Sequence, residues 1–133
     1  MGAVVVGYVA KPEGEAAVEQ GIAEARLRHA TLIVVNSHRG GREFDDDTSV
    51  RSEHDLSDLE ARLKASGLEY DVRQLVRGYE PAEDLISIAQ SSDAELIVIG
   101  LRRRTPVGKL ILGSNAQRIL LDAPCPVLAV KVG

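Results

Sequence analysis

A chain of 133 residues, 44% hydrophobic and 27% charged, is long enough for one packed core and too apolar for disorder. Its net charge of −4 and aromatic content of 3% exclude a nucleic-acid grip built on basic surplus and stacking platforms. Cys125 is the single cysteine, so an intrachain disulfide and a C-x-x-C site are excluded too.

The chain opens on AVVVGYVA, an apolar run without a basic leader and too short to span a bilayer. With one free thiol, that sets the expectation of a soluble, cytoplasmic protein. Ala3–Val9 is continuous rather than alternating, the mark of a strand covered on both faces. Pro12 sits in the first turn of a helix whose apolar stripe is Val18, Ile22 and Ala25. Leu32–Val35 reads as the second strand, followed by a polar loop over Arg39–Thr48. Leu56, Leu59 and Leu63 mark a second helix stopped at Ser66-Gly67, and Tyr70–Val76 a third strand ending at Arg77-Gly78. Pro81 opens a third helix that carries Leu85, Ile86 and Ala89 inward. Leu96–Ile99 is a fourth strand closed by Gly100. Ala116, Ile119 and Leu120 mark a last helix, and Val127–Val132 a last strand.

This alternation predicts a single-domain α/β fold over residues 1–133, an open parallel five-stranded sheet with helices on both faces. Ligands of such sheets sit beyond the carboxyl ends of the strands, where strand order reverses. Two strand ends carry unusual chemistry: the turn GYVAKPEG after the first strand, and GLRRRTPVGKLILGSNAQ after the fourth. In the second, Gly100, Gly108 and Gly113 allow close backbone approach, and the helix beginning at Ser114 offers unpaired N–H donors. Ser114 to Gln117 also forms a capping-box pattern, with the Ser114 hydroxyl on the Gln117 N–H. A cap and an anion site are compatible there, and both readings stand.

The loop resembles the phosphate loop of the universal stress protein family, G-x2-G-x9-G-[ST], matched at Gly100, Gly113 and Ser114. The resemblance runs along the whole chain through VVVGYVAKPEGEAAV, VRGYEPAEDLISIA and DAPCPVLAVK. It implies the adenine nucleotide alpha hydrolase-like fold, a role in stress response, and ATP, with Mg alongside it, as the bound cofactor. Gly100, Gly113, Ser114 and Asn115 would then face the phosphates, with Arg102 and Arg103 supplying charge. Val9, Asn36 and Ser37 would border base and ribose. It also implies a homodimer through Val127 to Val132, an apolar strand at the sheet edge. Two positions depart from the pattern: Val9 stands where nucleotide-binding members carry aspartate, and Arg103 where they carry the second glycine. A guanidinium at 103 either pairs with phosphate oxygens or fills the pocket. The two resulting functions are a nucleotide-binding regulator and a dimeric interaction module without nucleotide.

Other chemistries find less support. Asp45-Asp46-Asp47 lacks the alternating spacers of a calcium loop, and His29, His38 and His54 fall in different elements. No G-x-S-x-G or nucleophile–base pairing is present, so any ATP hydrolysis would be slow. Cys125, between two prolines, reads as packed, and Tyr8 as a core or rim residue.

Overall fold

The computed structural model describes residues 2–37, 57–75, 81–102 and 113–132. Its strands are β1 (Ala3–Tyr8), β2 (Thr31–Ser37), β3 (Tyr70–Leu75), β4 (Ala94–Arg102) and β5 (Val127–Val132). All pairings are parallel, in the order β3-β2-β1-β4-β5. Helices α1 (Pro12–Arg28), α2 (residues 57–65), α3 (Pro81–Ser91) and α4 (Ser114–Asp122) alternate with the strands, as expected.

β1 is the central strand, and its Val4, Val5 and Val6 are fully buried. Strand alternation divides the core into two layers. Val4, Val6, Tyr8, Leu32, Val34, Leu96 and Val98 pack with Ala17, Val18 and Ala25 of α1 and Leu59 and Leu63 of α2. Ala3, Val5, Ile33, Val35, Ile97, Ile99 and Leu101 pack with Ala82, Leu85 and Ala89 of α3 and Ile119 of α4. Each fully buried valine stabilises by about 1.5–3 kcal/mol over an exposed one, which is why β1 reads as an unbroken apolar run.

Helix ends follow local chemistry. Pro12 suits the first turn of α1 because its fixed φ is helical and its missing N–H would be unpaired there anyway. α1 closes at His29, left-handed at φ 53°, with the Ala30 N–H donating to the Ala25 carbonyl at 3.0 Å. Gly67, at φ 75°, turns the chain after α2.

Three expectations are corrected by the packing. Gly100 does not close β4: pairing with β5 carries the strand on through Leu101 to Arg102, which stands opposite Val132. Leu120 does not face the core but is 40% exposed, because one step of about 100° past buried Ile119 rotates it off the inward face. Ile86, expected inward, is half-buried and stands outside the core layer of Ala82, Leu85 and Ala89, where Ile88 packs instead. Leu56 and Val76 to Gly78 lie outside the described residues.

Candidate functional site

Where neighbouring strands lead away in opposite directions, their connections part and leave a crevice at the carboxyl ends. Here that reversal falls between β1, which continues to β2, and β4, which continues to β5. Because β4 and β5 are parallel, the chain must cross back between them, so α4 starts on that same carboxyl side.

The first turn of α1 rests directly on these strand ends. The Val9 carbonyl accepts the Lys11 N–H at 2.8 Å, turning the chain into the helix. A Cβ at Gly14 would stand 1.7 Å from the Val9 carbonyl oxygen, and one at Gly100 would stand 1.9 Å from the Glu13 carbonyl oxygen. Both contacts are backbone on backbone, so glycine is required at each. The absence of a side chain at Gly100 is therefore explained by helix packing, a reason that the loop pattern did not reveal.

Asn36 is 6% exposed and lies beside Tyr8 in register, and Ser37 ends β2 opposite Leu75. By strand alternation Asn36 belongs with Tyr8 on the face covered by α1 and α2. Tyr8 is buried, and its hydroxyl donates to Glu15 Oε1 at 2.9 Å. Arg62 of α2 pairs through Nη2 with Glu15 Oε2, so this carboxylate ties β1, α1 and α2 together beneath the strand ends. Two buried side-chain atoms, Glu13 Oε1 and Arg62 Nη1, have no hydrogen-bond partner among the described residues. Arg62 remains 38% exposed as a side chain, whereas Glu13 is only 7% exposed.

At α4 the expected capping box is not formed, a fourth correction. Gly113, extended at φ −69° and ψ 165°, is the N-cap and Ser114 is already helical. The Gln117 N–H donates to the Gly113 carbonyl at 3.0 Å. A capping oxygen must belong to the N-cap residue, and Ser114 stands one position too far along. Gly113 and Ser114 are exposed, Asn115 is half-buried, and among the described residues nothing lies within 4 Å of a Cβ placed on Gly113. Among the described residues, the N-terminus of α4 therefore carries no side-chain cap.

The structure thus brings Val9, Asn36, Ser37 and Gly100 to adjacent strand ends and places the backbone of Arg102 at the end of β4. Arg103, Gly108, His38, His54 and the Asp45 to Asp47 run lie outside the described residues. Among the described residues no group of three or more His, Cys, Asp or Glu could hold a metal ion. Cys125 packs half-buried against the α3–α4 core layer, and burial pushes its thiol pKa up. Sequence reasoning missed Glu13 and Glu15. The signal for Glu13 was available: it continues, at four-residue spacing, the inward stripe Ala17, Gly21, Ala25.

Comparison with known proteins gives a consistent answer. A family model described as the Universal stress protein family matches residues 1–131. A universal stress protein of Mycolicibacterium smegmatis is 51% identical over 128 residues, covering 96% of each chain. Among solved structures, a universal stress protein from Archaeoglobus fulgidus superposes with a TM-score of 0.81 at 36% identity, over 98% of this chain and 99% of that one. A structure of the universal stress protein from Archaeoglobus fulgidus in complex with dAMP gives a TM-score of 0.74 at 31% identity, over 98% of each chain. Among the described residues no helix is long and apolar enough to cross a membrane.

Proposed function

Because the chain belongs to the universal stress protein family, we propose that it is a stress-response regulatory protein that binds an adenine nucleotide, ATP foremost, across the carboxyl ends of β2, β1 and β4. The observation that carries this reading is the N-terminus of α4, exposed at Gly113 and Ser114 and without a side-chain cap among the described residues, on the side of the sheet where strand order reverses. Such an N-terminus attracts phosphate through unpaired N–H groups and the helix dipole. The Archaeoglobus fulgidus relative in complex with dAMP supports adenine nucleotide as the ligand class.

In this reading Gly113, Ser114 and Asn115 present N–H groups and a hydroxyl to the phosphates, and Arg102 and Arg103 add positive charge. Val9, Asn36 and Ser37 border base and ribose. Gly100 keeps α1 seated so that the crevice holds its shape. Mg accompanying ATP would be held through the phosphates and water rather than by a protein cage. The protein works in the cytoplasm, and no residue is assigned a catalytic role.

A thermal-shift titration with ATP tests the reading. Saturation at ~100-fold over Kd adds about 2.7 kcal/mol, equivalent to a rise of about 10 °C for a domain of this size. No shift at millimolar ATP in the wild type would refute it. A shift gained only in Arg103→Gly would favour the second reading, an interaction module whose pocket Arg103 fills.

The homodimer belongs to both readings. β5 is a sheet edge, its Val127, Leu128, Ala129 and Val130 are only half-buried, and Leu121 of α4 is 82% exposed. A second copy covering this region would remove apolar surface and an open edge together. Sedimentation equilibrium should give a dimer that Val130→Lys dissociates; a monomeric wild type at micromolar concentration would refute it.

A further inference from the structure

We propose that the Glu13 carboxylate accepts hydrogen bonds from the ribose hydroxyls of the bound adenine nucleotide, an assignment that rests on the nucleotide reading above. Glu13 heads the inward stripe of α1, above Ala17, Gly21 and Ala25, and its backbone lies directly against Gly100 at the carboxyl end of β4. It is 7% exposed, and its Oε1 has no hydrogen-bond partner among the described residues. The helix dipole favours an acid in this turn but does not require that the acid be buried. Glu15, in the same turn, engages both oxygens, one with Tyr8 and one with Arg62. A buried carboxylate oxygen without a donor is costly, so the ligand of this crevice should supply one.

The chemistry narrows which part of the nucleotide meets Glu13. A carboxylate only accepts, so it repels phosphate and suits a hydroxyl. Order across the sheet points the same way. Asn36 and Ser37 stand on β2, Glu13 lies over β4, and the open helix start follows β4 towards β5. A nucleotide laid across these strands, spaced about 4.8 Å apart, runs from base through ribose to phosphate in that order. Val9, apolar after β1, offers no side-chain acceptor to share the task.

Calorimetric titration of the wild type, Glu13→Ala and Glu13→Gln with ATP and 2′,3′-dideoxy-ATP tests the assignment. The wild type should prefer ATP by roughly tenfold or more, the value of a charge-assisted hydrogen bond, and Glu13→Ala should abolish that preference. Glu13→Gln keeps an acceptor oxygen without the charge and should retain a reduced preference. Without nucleotide, Glu13→Gln should melt above the wild type, since an unpartnered buried charge is gone. An undiminished preference in Glu13→Ala, or no preference in a wild type that does bind ATP, overturns the role of Glu13 and leaves the nucleotide site standing. Binding of neither compound by the wild type overturns both. If Glu13→Ala does not fold, a wild-type preference retained in full by Glu13→Gln, together with an unraised melting temperature, overturns the assignment.

Discussion

Replacing Gly100 with alanine separates a packing glycine from a phosphate-loop glycine. The new Cβ would meet the Glu13 carbonyl oxygen at 1.9 Å, its carbon at 2.5 Å and the Glu13 Cα at 3.0 Å. None of these atoms belongs to a flexible side chain, so the first turn of α1 must retreat by roughly 1.5 Å or more to reach ordinary contact. That retreat would loosen the neighbouring seat of Gly14 on Val9, which is equally close. Overpacking of this kind costs about 1–3 kcal/mol, and alanine recovers only about 0.5–1 kcal/mol by restricting the unfolded chain. A net loss of about 1–2 kcal/mol is expected. With an unfolding entropy of about 2.1 cal/mol/K per residue, that lowers the melting temperature by roughly 4–7 °C. Thermal and urea unfolding followed by circular dichroism, without nucleotide, measure it. If Gly100 served only to expose N–H groups to phosphate, the variant would melt at or above the wild-type temperature. That result would refute the packing argument.

Tyr8→Phe removes the hydroxyl that Glu15 accepts and should cost about 1–2 kcal/mol in urea unfolding; an unchanged midpoint would show that the bond contributes nothing. Gly113→Ser supplies a cap at an exposed position with an extended backbone and no described neighbour within 4 Å of its Cβ, and should gain about 0.5–1 kcal/mol. The same hydroxyl competes with an anion for the N–H groups of α4, so ATP affinity should fall, and unchanged affinity would argue against phosphate binding there. Cys125 should react with iodoacetamide more slowly than free glutathione at pH 8. Burial raises its pKa, so less thiolate is present at a given pH, and the rate should climb only at higher pH. A rate equal to that of glutathione would contradict this.

The fold was legible because its signals are local and repeated. Buried parallel strands must be continuous apolar runs, as in Val4 to Val6, and amphipathic stripes such as Val18, Ile22 and Ala25 mark the helices between them. Errors arose where a boundary depends on a partner strand or on one helical step. β4 runs past Gly100 because β5 continues to pair with it, and Leu120 turns outward beside buried Ile119. The capping box at Ser114 failed for a similar reason. The pattern points to Ser114 as the cap, and only the backbone shows the helix starting one residue earlier, with Gly113 as its N-cap.

By itself, the sequence determined the alternation of strands and helices, the inward residues of most elements, and the two strand ends carrying unusual chemistry. Its periodicities encode which side chains leave water, and that burial is the main force driving the chain to fold. Strand order was decided only in three dimensions, since β1 could neighbour β4 only once crossovers and both core layers had formed. That adjacency sets the Glu13 backbone of α1 against Gly100, a contact between residues 87 positions apart in the chain. No local pattern carries such a contact, because its energy exists only after the sheet has brought both strand ends together.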